Sequence, residues 1–345
     1  MSTSSCLLLT ALLFLVPTLA FSQQAPPVPD TKPTPPAGVE ERQVQFPTDG
    51  LMDPGTLTLP SKHSGKVPIA VMVQGSGVQD RDSTIGPNKI FQQFAWGLAQ
   101  RGIATLRYDR RPKFDPASMK AHMDLDHEIV IDAASALAYC DTLSEIDPAK
   151  VFLLGHSLGA EMAPDIVAVR LKQRPASVRG MILMSGVSRP IDVVILDQMR
   201  TLGKAQGGTQ QQIDSLVAAW TAVFTAARDP KTPDSELLGV PGMGQKIPAS
   251  YWRDWLRREP LVTLATLPIP TLVLRGTNDL NSTHQDFEML QKTTTAHGSA
   301  GREFIGLNHE YIATNGDGRG ASIAGQVSTE ALDTIAHWII TGRIE

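Results

Sequence analysis

Ser157 lies in G-H-S-L-G, Gly155 to Gly159, with an apolar run ahead of it, Val151 to Leu154, and a small-residue helical pattern behind it. A serine on a sharp turn between a buried strand and a helix is held clear of the sheet as a nucleophile. The flanking glycines leave room for the adjacent strand and helix. The plainer alternative is a serine that only caps a helix. A serine nucleophile needs a base, and the base needs an orienting group. With an elbow of this kind the chain order is serine, acid, histidine. His309 stands in I-G-L-N-H-E-Y, Ile305 to Tyr311, after the last predicted strand and before a Gly-rich loop. Asp279 follows the apolar run Thr271 to Leu274 and the turn Gly276-Thr277-Asn278, at the same sheet edge. Its other reading is an Asx-turn that closes the loop. Glu310 adjoins the histidine but points elsewhere if His309 faces the site. His284 and His297 flank a predicted helix as solvated residues, and His337, beside Trp338, reads as a packing residue.

The negative charge that develops on an attacked carbonyl calls for two backbone N–H groups, one after the nucleophile and one from the loop after the third strand. Leu158 supplies the first. Ser76, within Gln74-Gly75-Ser76-Gly77, supplies the second, with Gly77 as the alternative, and Gly75 and Gly77 allow close approach of a substrate. A phosphate loop is excluded because no G-x-x-x-x-G-K-[ST] occurs, and the dinucleotide fingerprint lacks its third glycine. Asp80, Arg81 and Asp82 read as an ion-pair cluster that fixes this loop.

These residues need a scaffold of alternating strands and helices. Glu41–Phe46 and Thr56–Leu59 alternate polar and apolar residues around Pro47-Thr48-Asp49-Gly50 and predict antiparallel strands that open a sheet. Strands follow at Val67–Val73, Gly102–Leu106, Val151–Leu154, Met181–Met184, Thr271–Leu274 and Arg302–Ile305. Helices are predicted at Lys89–Gln100, His127–Leu143 and Glu330–Ile340. The alternation implies a mostly parallel sheet covered on both faces. Between Gly186 and Pro268 no strand is predicted. Helical spacing recurs there at Ile191–Met199, Ile213–Ala227 and Tyr251–Leu256, with a Gly/Pro-rich joint at Gly239–Pro248. An insertion of this length reads as a helical cap over the carboxyl ends of the strands. Its large apolar residues include Tyr251, Trp252 and Trp255, which are candidates for the pocket wall along with Gly75, Gly77 and His156.

The 345 residues include 31 Lys and Arg against 35 Asp and Glu, a net charge of −4 that gives no nucleic-acid footprint. Two cysteines, Cys6 and Cys140, provide no disulfide framework. Residues 1–22 read as a secretory signal: Cys6 to Val16 is apolar but too short for a span, and Ala20-Phe21-Ser22 suits cleavage. Their departures are an n-region without Lys or Arg and the alternative of an uncleaved anchor. After cleavage no membrane span is expected. Residues 23–40 are a Pro-rich tether, 41–189 and 263–345 the two parts of the core, and 190–262 the cap.

The stretches G-T-L-T-L-P (Gly55–Pro60), Q-G-S-G-V-Q-D-R-D (Gln74–Asp82), L-R-Y-D-R-R (Leu106–Arg111), G-H-S-L-G, L-R-G-T-N-D (Leu274–Asp279) and L-N-H-E-Y occur in an order that resembles the α/β-hydrolase superfamily. They are most similar to its bacterial serine carboxylesterase branch with a G-S-G-x-x-D-R-D loop. The likeness covers about residues 41 to 341, and Val78 departs from it where many relatives have proline. It implies an α/β-hydrolase fold and a capped Ser-His-Asp esterase acting on short-chain esters, and the signal at residues 1–22 adds the expectation that it is exported, periplasmic or secreted. Ser157 would be nucleophile, His309 base and Asp279 orienter. No metal or organic cofactor is expected, since the histidines lack zincin spacing, and the expected partner is a small-molecule ester. The same scaffold serves serine peptidases or amidases, acyltransferases, and catalytically silent binding proteins. Oligomeric state is not legible.

Overall fold

The computed structural model describes residues 34–316 and 324–344. The expected signal and most of the expected tether lie outside them. The chain opens with a two-stranded ribbon, β1 (Val39–Thr48) and β2 (Leu51–Pro60), paired antiparallel from Val39 opposite Pro60 to Thr48 opposite Leu51. Asp49 and Gly50 join them with φ of 47° and 76°. Two successive residues at positive φ make the tight turn whose twist matches that of the strands. The strand starts two residues inside the stretch expected as tether. Val39 N–H bonds Pro36 O and Ser61 N–H bonds Gly38 O, which ties the entering chain to the sheet.

Six further strands complete the sheet: β3 (Val67–Val73), β4 (Ala104–Tyr108), β5 (Ile146–His156), β6 (Gly180–Met184), β7 (Thr271–Gly276) and β8 (Ala300–Phe304). Their spatial order is β1-β2-β4-β3-β5-β6-β7-β8, and every pairing from β4 onward is parallel. This is the mostly parallel α/β-hydrolase sheet with antiparallel N-terminal strands. The strand expected at Gly102–Leu106 begins two residues later. The one expected at Arg302–Ile305 ends at Phe304, leaving Ile305 92% exposed.

Strand alternation sorts the core into two layers. Ile69, Val71, Val73, Val151 and Leu153 face one layer, and Ala70, Met72, Phe152 and Leu154 face the other. The second layer is closed by α1 (Ile90–Ala99) and by the last helix, Thr329–Thr341, whose Trp338 packs on Phe152 with ring centroids 5.8 Å apart. On the first layer lie α2 (Ile131–Tyr139), which continues a π-helical turn at Asp126–Val130, and α3 (Leu158–Gln173), which follows Ser157. Cys140 is buried and free there.

The insertion after β6 contains α4 (Ile191–Ala205), α5 (Gln210–Arg228), α6 (Ala249–Leu256) and α7 (Pro260–Thr266). It is not wholly helical. The expected Gly/Pro joint is a hairpin, Leu237–Val240 with Gln245–Pro248, turned through Gly242 and Gly244 at positive φ. Strands of four residues carry too little alternation to be read ahead of the structure. Helix α7 was also unforeseen. Trp220, Phe224, Tyr251, Trp252 and Trp255 pack ring against ring within the insertion. Among the described residues no helix is long and apolar enough to cross a membrane.

Candidate active site

At the end of β5 the chain turns into α3 through Ser157, at φ 55° and ψ −119°. A non-glycine residue persists at positive φ only where its surroundings enforce it. Here they do: Ser157 N–H bonds Met184 O of the next strand, while Ala160 and Glu161 N–H close on Ser157 O. A Cβ on Gly155 would lie 2.3 Å from Gly159 O, and one on Gly159 would lie 2.2 Å from Val73 O. Any side chain at either position would push helix and strand apart. Leu158 N–H belongs to the first turn of α3, where N–H groups lack intrahelical partners and carry the positive end of the helix dipole.

The loops after β7 and β8 are zipped together. Asn278 N–H bonds Leu307 O and Thr277 N–H bonds Phe304 O. A Cβ on Gly276 would sit 2.2 Å from Leu307 O, so this approach needs glycine. The zipper brings His309 Nδ1 to 2.9 Å from Asp279 Oδ2. Asp279 Oδ1 accepts from Asn281 N–H at 2.7 Å and Ser282 N–H at 3.0 Å. The Asx-turn and the histidine contact, set out as alternatives for Asp279, thus coexist, one on each oxygen. Burial pushes the Asp279 carboxyl up, but the positive charge and hydrogen bond of His309, with these two N–H groups, outweigh it and hold the group below its ordinary value. Burial depresses the His309 imidazole, and Asp279 more than compensates, so its pKa lies above the ordinary one. Glu310 is buried beside this pair and bonds Asn308 Oδ1 only through its backbone N–H among the contacts seen.

His156 joins the two halves. Its Nε2 lies 2.8 Å from His309 O, and its ring is 4.6 Å from that of His309. A carbonyl acceptor requires the proton on Nε2. Burial lowers the ring's pKa to about 3, so it is a neutral spacer. It is 2% exposed and also packs edge-on against Phe91, with ring centroids 6.4 Å apart.

Across from the histidine, a Cβ on Gly75 would meet Ser157 Cβ at 3.1 Å. Gly75, at the start of the loop from Gln74 to Asp82, therefore lies against Ser157. Ser76 O accepts from Gln79 Nε2 at 3.1 Å, and Gly77 takes φ 98°. Arg81 forks onto Asp109 at 3.2 and 2.7 Å, Asp82 accepts from Arg107 at 2.6 Å, and Asp80 accepts from Thr84. All three side chains serve to hold the loop. Val78 lies within the turn that Gln79 closes, with Gln79 N–H on Gly77 O at 2.9 Å and Gln79 Nε2 on Ser76 O at 3.1 Å.

The cap residues reach the core through polar tips. Tyr251 Oη donates to Glu128 Oε2 at 2.8 Å, and Trp255 Nε1 donates to Glu161 Oε1 at 2.8 Å. Trp252, fully buried, packs within the aromatic cluster. Glu128 and Glu161 gave no signal in the sequence, since acidic residues on helices usually face water. The one clue to Glu161 is its place four residues after Ser157, between the small and apolar stretches Leu158–Ala160 and Met162–Pro164. Arg110, which binds Glu128, lies in the L-R-Y-D-R-R stretch but had no role assigned to it. Among the described residues no group of three His, Cys, Asp or Glu could hold a metal ion.

Residues 88–313, more than half of the chain and including Ser157, Asp279 and His309, match the family described as serine aminopeptidase, S33. The loop at Gln74–Asp82 precedes that match. Esterase EstD of Thermotoga maritima is 32% identical over 318 residues, covering 88% of this chain and 68% of that protein. Among solved structures, Est1E from Butyrivibrio proteoclasticus superposes with a TM-score of 0.54 at 16% identity, covering 86% of this chain and 98% of that one. An esterase of Pyrobaculum calidifontis gives 0.55 at 16%, covering 87% and 85%. Identities this low speak for the fold alone. The extent of the family match, and 32% identity to a relative of which the chain covers 68%, carry the assignment: the chain belongs to the S33 serine aminopeptidase family of α/β-hydrolases.

Proposed function

We propose that the protein is an exported serine esterase that hydrolyses short-chain carboxylic esters through an acyl-enzyme. The observation that carries this reading is the buried Asp279–His309 pair lying beside the strained Ser157 elbow. His309 Nε2 takes the Ser157 hydroxyl proton as Ser157 Oγ attacks the ester carbonyl. Asp279 keeps the other ring proton on Nδ1 and stabilises the imidazolium. The N–H groups of Ser76 and Leu158 bind the oxyanion, and collapse of the tetrahedral intermediate expels the alcohol with the proton from His309. Water, deprotonated by His309, then releases the carboxylic acid. The chemistry uses only groups of this chain. The likeness to Esterase EstD supports the ester as substrate.

The G-S-G-V-Q-D-R-D loop supplies the oxyanion side, its glycines admitting the carbonyl. Gly75 and Gly77 lie on the oxyanion side of the pocket, and the cap, in which the expected wall residues Tyr251, Trp252 and Trp255 are buried as struts, bounds its acyl side, so small acyl groups should be favoured. Turnover of p-nitrophenyl esters should peak at acyl chains of about two to six carbons, each methylene gaining about 0.8 kcal/mol until the wall is reached. A peak at dodecanoate or beyond would refute the bounded pocket. Export rests on residues 1–22, and fractionation of cells producing the full chain tests it.

The family description favours a second reading, an aminopeptidase. Such an enzyme needs a carboxylate for the substrate ammonium. Glu161, the acid nearest Ser157 along α3, is instead pushed up to about 8 by burial and is largely uncharged at neutral pH. Aminoacyl p-nitroanilides assayed beside the esters decide between the two: preferential cleavage of the anilides would overturn the esterase.

A further inference from the structure

Arg110 follows β4 and is 3% exposed, with both terminal nitrogens engaged. Nη1 donates to the backbone carbonyl of Gly75, and Nη2 donates to Glu128 Oε1. Glu128, 1% exposed, accepts from the cap on its other oxygen, through Tyr251 Oη at 2.8 Å. The chain of contacts therefore runs from α6 of the cap, through a fully buried ion pair, to one particular peptide group.

That peptide is the one between Gly75 and Ser76. In a planar trans peptide the C=O and N–H point in opposite directions. Capturing Gly75 O thus sets where the Ser76 N–H points. Other restraints act on the loop: Gln79 Nε2 holds Ser76 O, which governs the next peptide, Gln74 Nε2 donates to Tyr108 O, and Arg81 and Asp82 anchor the loop's far end. Without Arg110, Gly75 retains the widest backbone freedom of any residue at the point closest to Ser157.

We propose that Arg110 is a positioning residue for the oxyanion hole, held in place by Glu128, and that Tyr251 couples this setting to the seating of the cap. The proposal rests on the esterase reading, with Ser76 N–H as oxyanion donor. Removing such control acts on the transition state, where charge has developed on the carbonyl oxygen, and little on substrate binding.

The test is ester hydrolysis by the full chain carrying Arg110→Met, Arg110→Lys or Tyr251→Phe, with binding of an alkylboronic acid measured beside it. Arg110→Met should lower kcat about 10²-fold, as loss of an oxyanion donor does, with KM changed less than about threefold. Boronate affinity should fall with kcat, because its tetrahedral adduct also needs the hole, while inhibition by the carboxylic acid product stays constant. Arg110→Lys, able to reach one of the two partners, should recover part of the loss, and Tyr251→Phe should cost a few-fold in kcat. If Arg110→Met does not fold, Arg110→Met/Glu128→Gln leaves no unpaired buried charge and should show the same kcat loss. A folded Arg110 variant with kcat within twofold of wild type, or with its whole defect in KM, overturns the positioning role. Unchanged kcat in Tyr251→Phe overturns the coupling to the cap. Failure of the underlying reading shows separately, as wild-type protein that neither cleaves esters nor is labelled at Ser157 by a fluorophosphonate.

Discussion

Asp279, in the loop after β7, and Glu161, in the first turn of α3, are both buried close to Ser157, and each accepts a hydrogen bond from a ring N–H. They end in opposite protonation states. Asp279 faces an imidazole that can become positive and two backbone N–H groups, and its carboxyl is held below the ordinary value. Glu161 receives the neutral indole of Trp255. Burial therefore dominates, opposed by Trp255 and Arg258 and reinforced by Asp165 and Asp286, and the group is pushed up to about 8. A carboxylate stays ionised in the interior only where its donors and neighbouring charges together outweigh the cost of burial. The catalytic edge meets that condition. The seam between core and cap does not, so near neutral pH the Glu161 carboxyl should titrate where the Asp279 carboxyl does not.

Ser157→Ala sets the scale for the edge. It should abolish nearly all ester turnover, leaving only the residual contribution of binding and the oxyanion hole, with the fold intact by circular dichroism. More than about a tenth of wild-type kcat would remove Ser157 from the mechanism. Asp279→Asn should cost on the order of 10⁴-fold at neutral pH by stabilising the wrong tautomer of His309. The midpoint of its remaining pH–rate profile should move to lower pH, since Asp279 is what raises the His309 pKa. An unchanged midpoint, or a dead Glu310→Gln beside an active Asp279→Asn, would transfer the orienting role to Glu310.

At the seam the effects are smaller and appear in stability. The folded Glu161 carboxyl has a pKa above its ordinary 4.5. Its contribution is therefore fully present below about 4.5, declines as pH rises through about 8, and is constant beyond. Glu161→Gln should remove that decline, so the mutant gains on wild type in urea unfolding as pH rises from 5 to about 8. A difference independent of pH would show that Glu161 is ionised throughout. Smallest of all, Trp255→Phe deletes the one N–H that favours ionised Glu161, and should move the pH-dependent loss of stability to higher pH while kcat stays within about threefold. A larger loss of kcat would make Trp255 a wall of the substrate pocket rather than a strut of the cap.

Much of the scaffold was legible because burial imposes periodicity. The apolar runs of β3 and β5 sit between two covering layers and need no polar face, and α1 and the last helix repeat their apolar residues at helical spacing. The hairpin at Leu237–Pro248 was illegible because four-residue strands at an exposed edge of the cap carry no such pattern. Ser157, Asp279 and His309 stood out because each follows a strand, where turn chemistry marks the boundary. Arg110, Glu128 and Glu161 did not, because charged residues in a sequence look solvated until something is packed over them.

The sequence by itself determined which residues lie at the carboxyl ends of the strands, since strand order along the chain and glycine at the points of closest approach are local properties. What reaches what was decided in three dimensions. The zipper from Gly276 to Asn308 puts Asp279 on His309, and the ion pair of Arg110 with Glu128 takes hold of Gly75 O. The cap's seat on α3 makes Glu161 an uncharged acid. Charge state, hydrogen-bond direction and desolvation depend on neighbours tens of residues away, and only the folded chain brings those neighbours together.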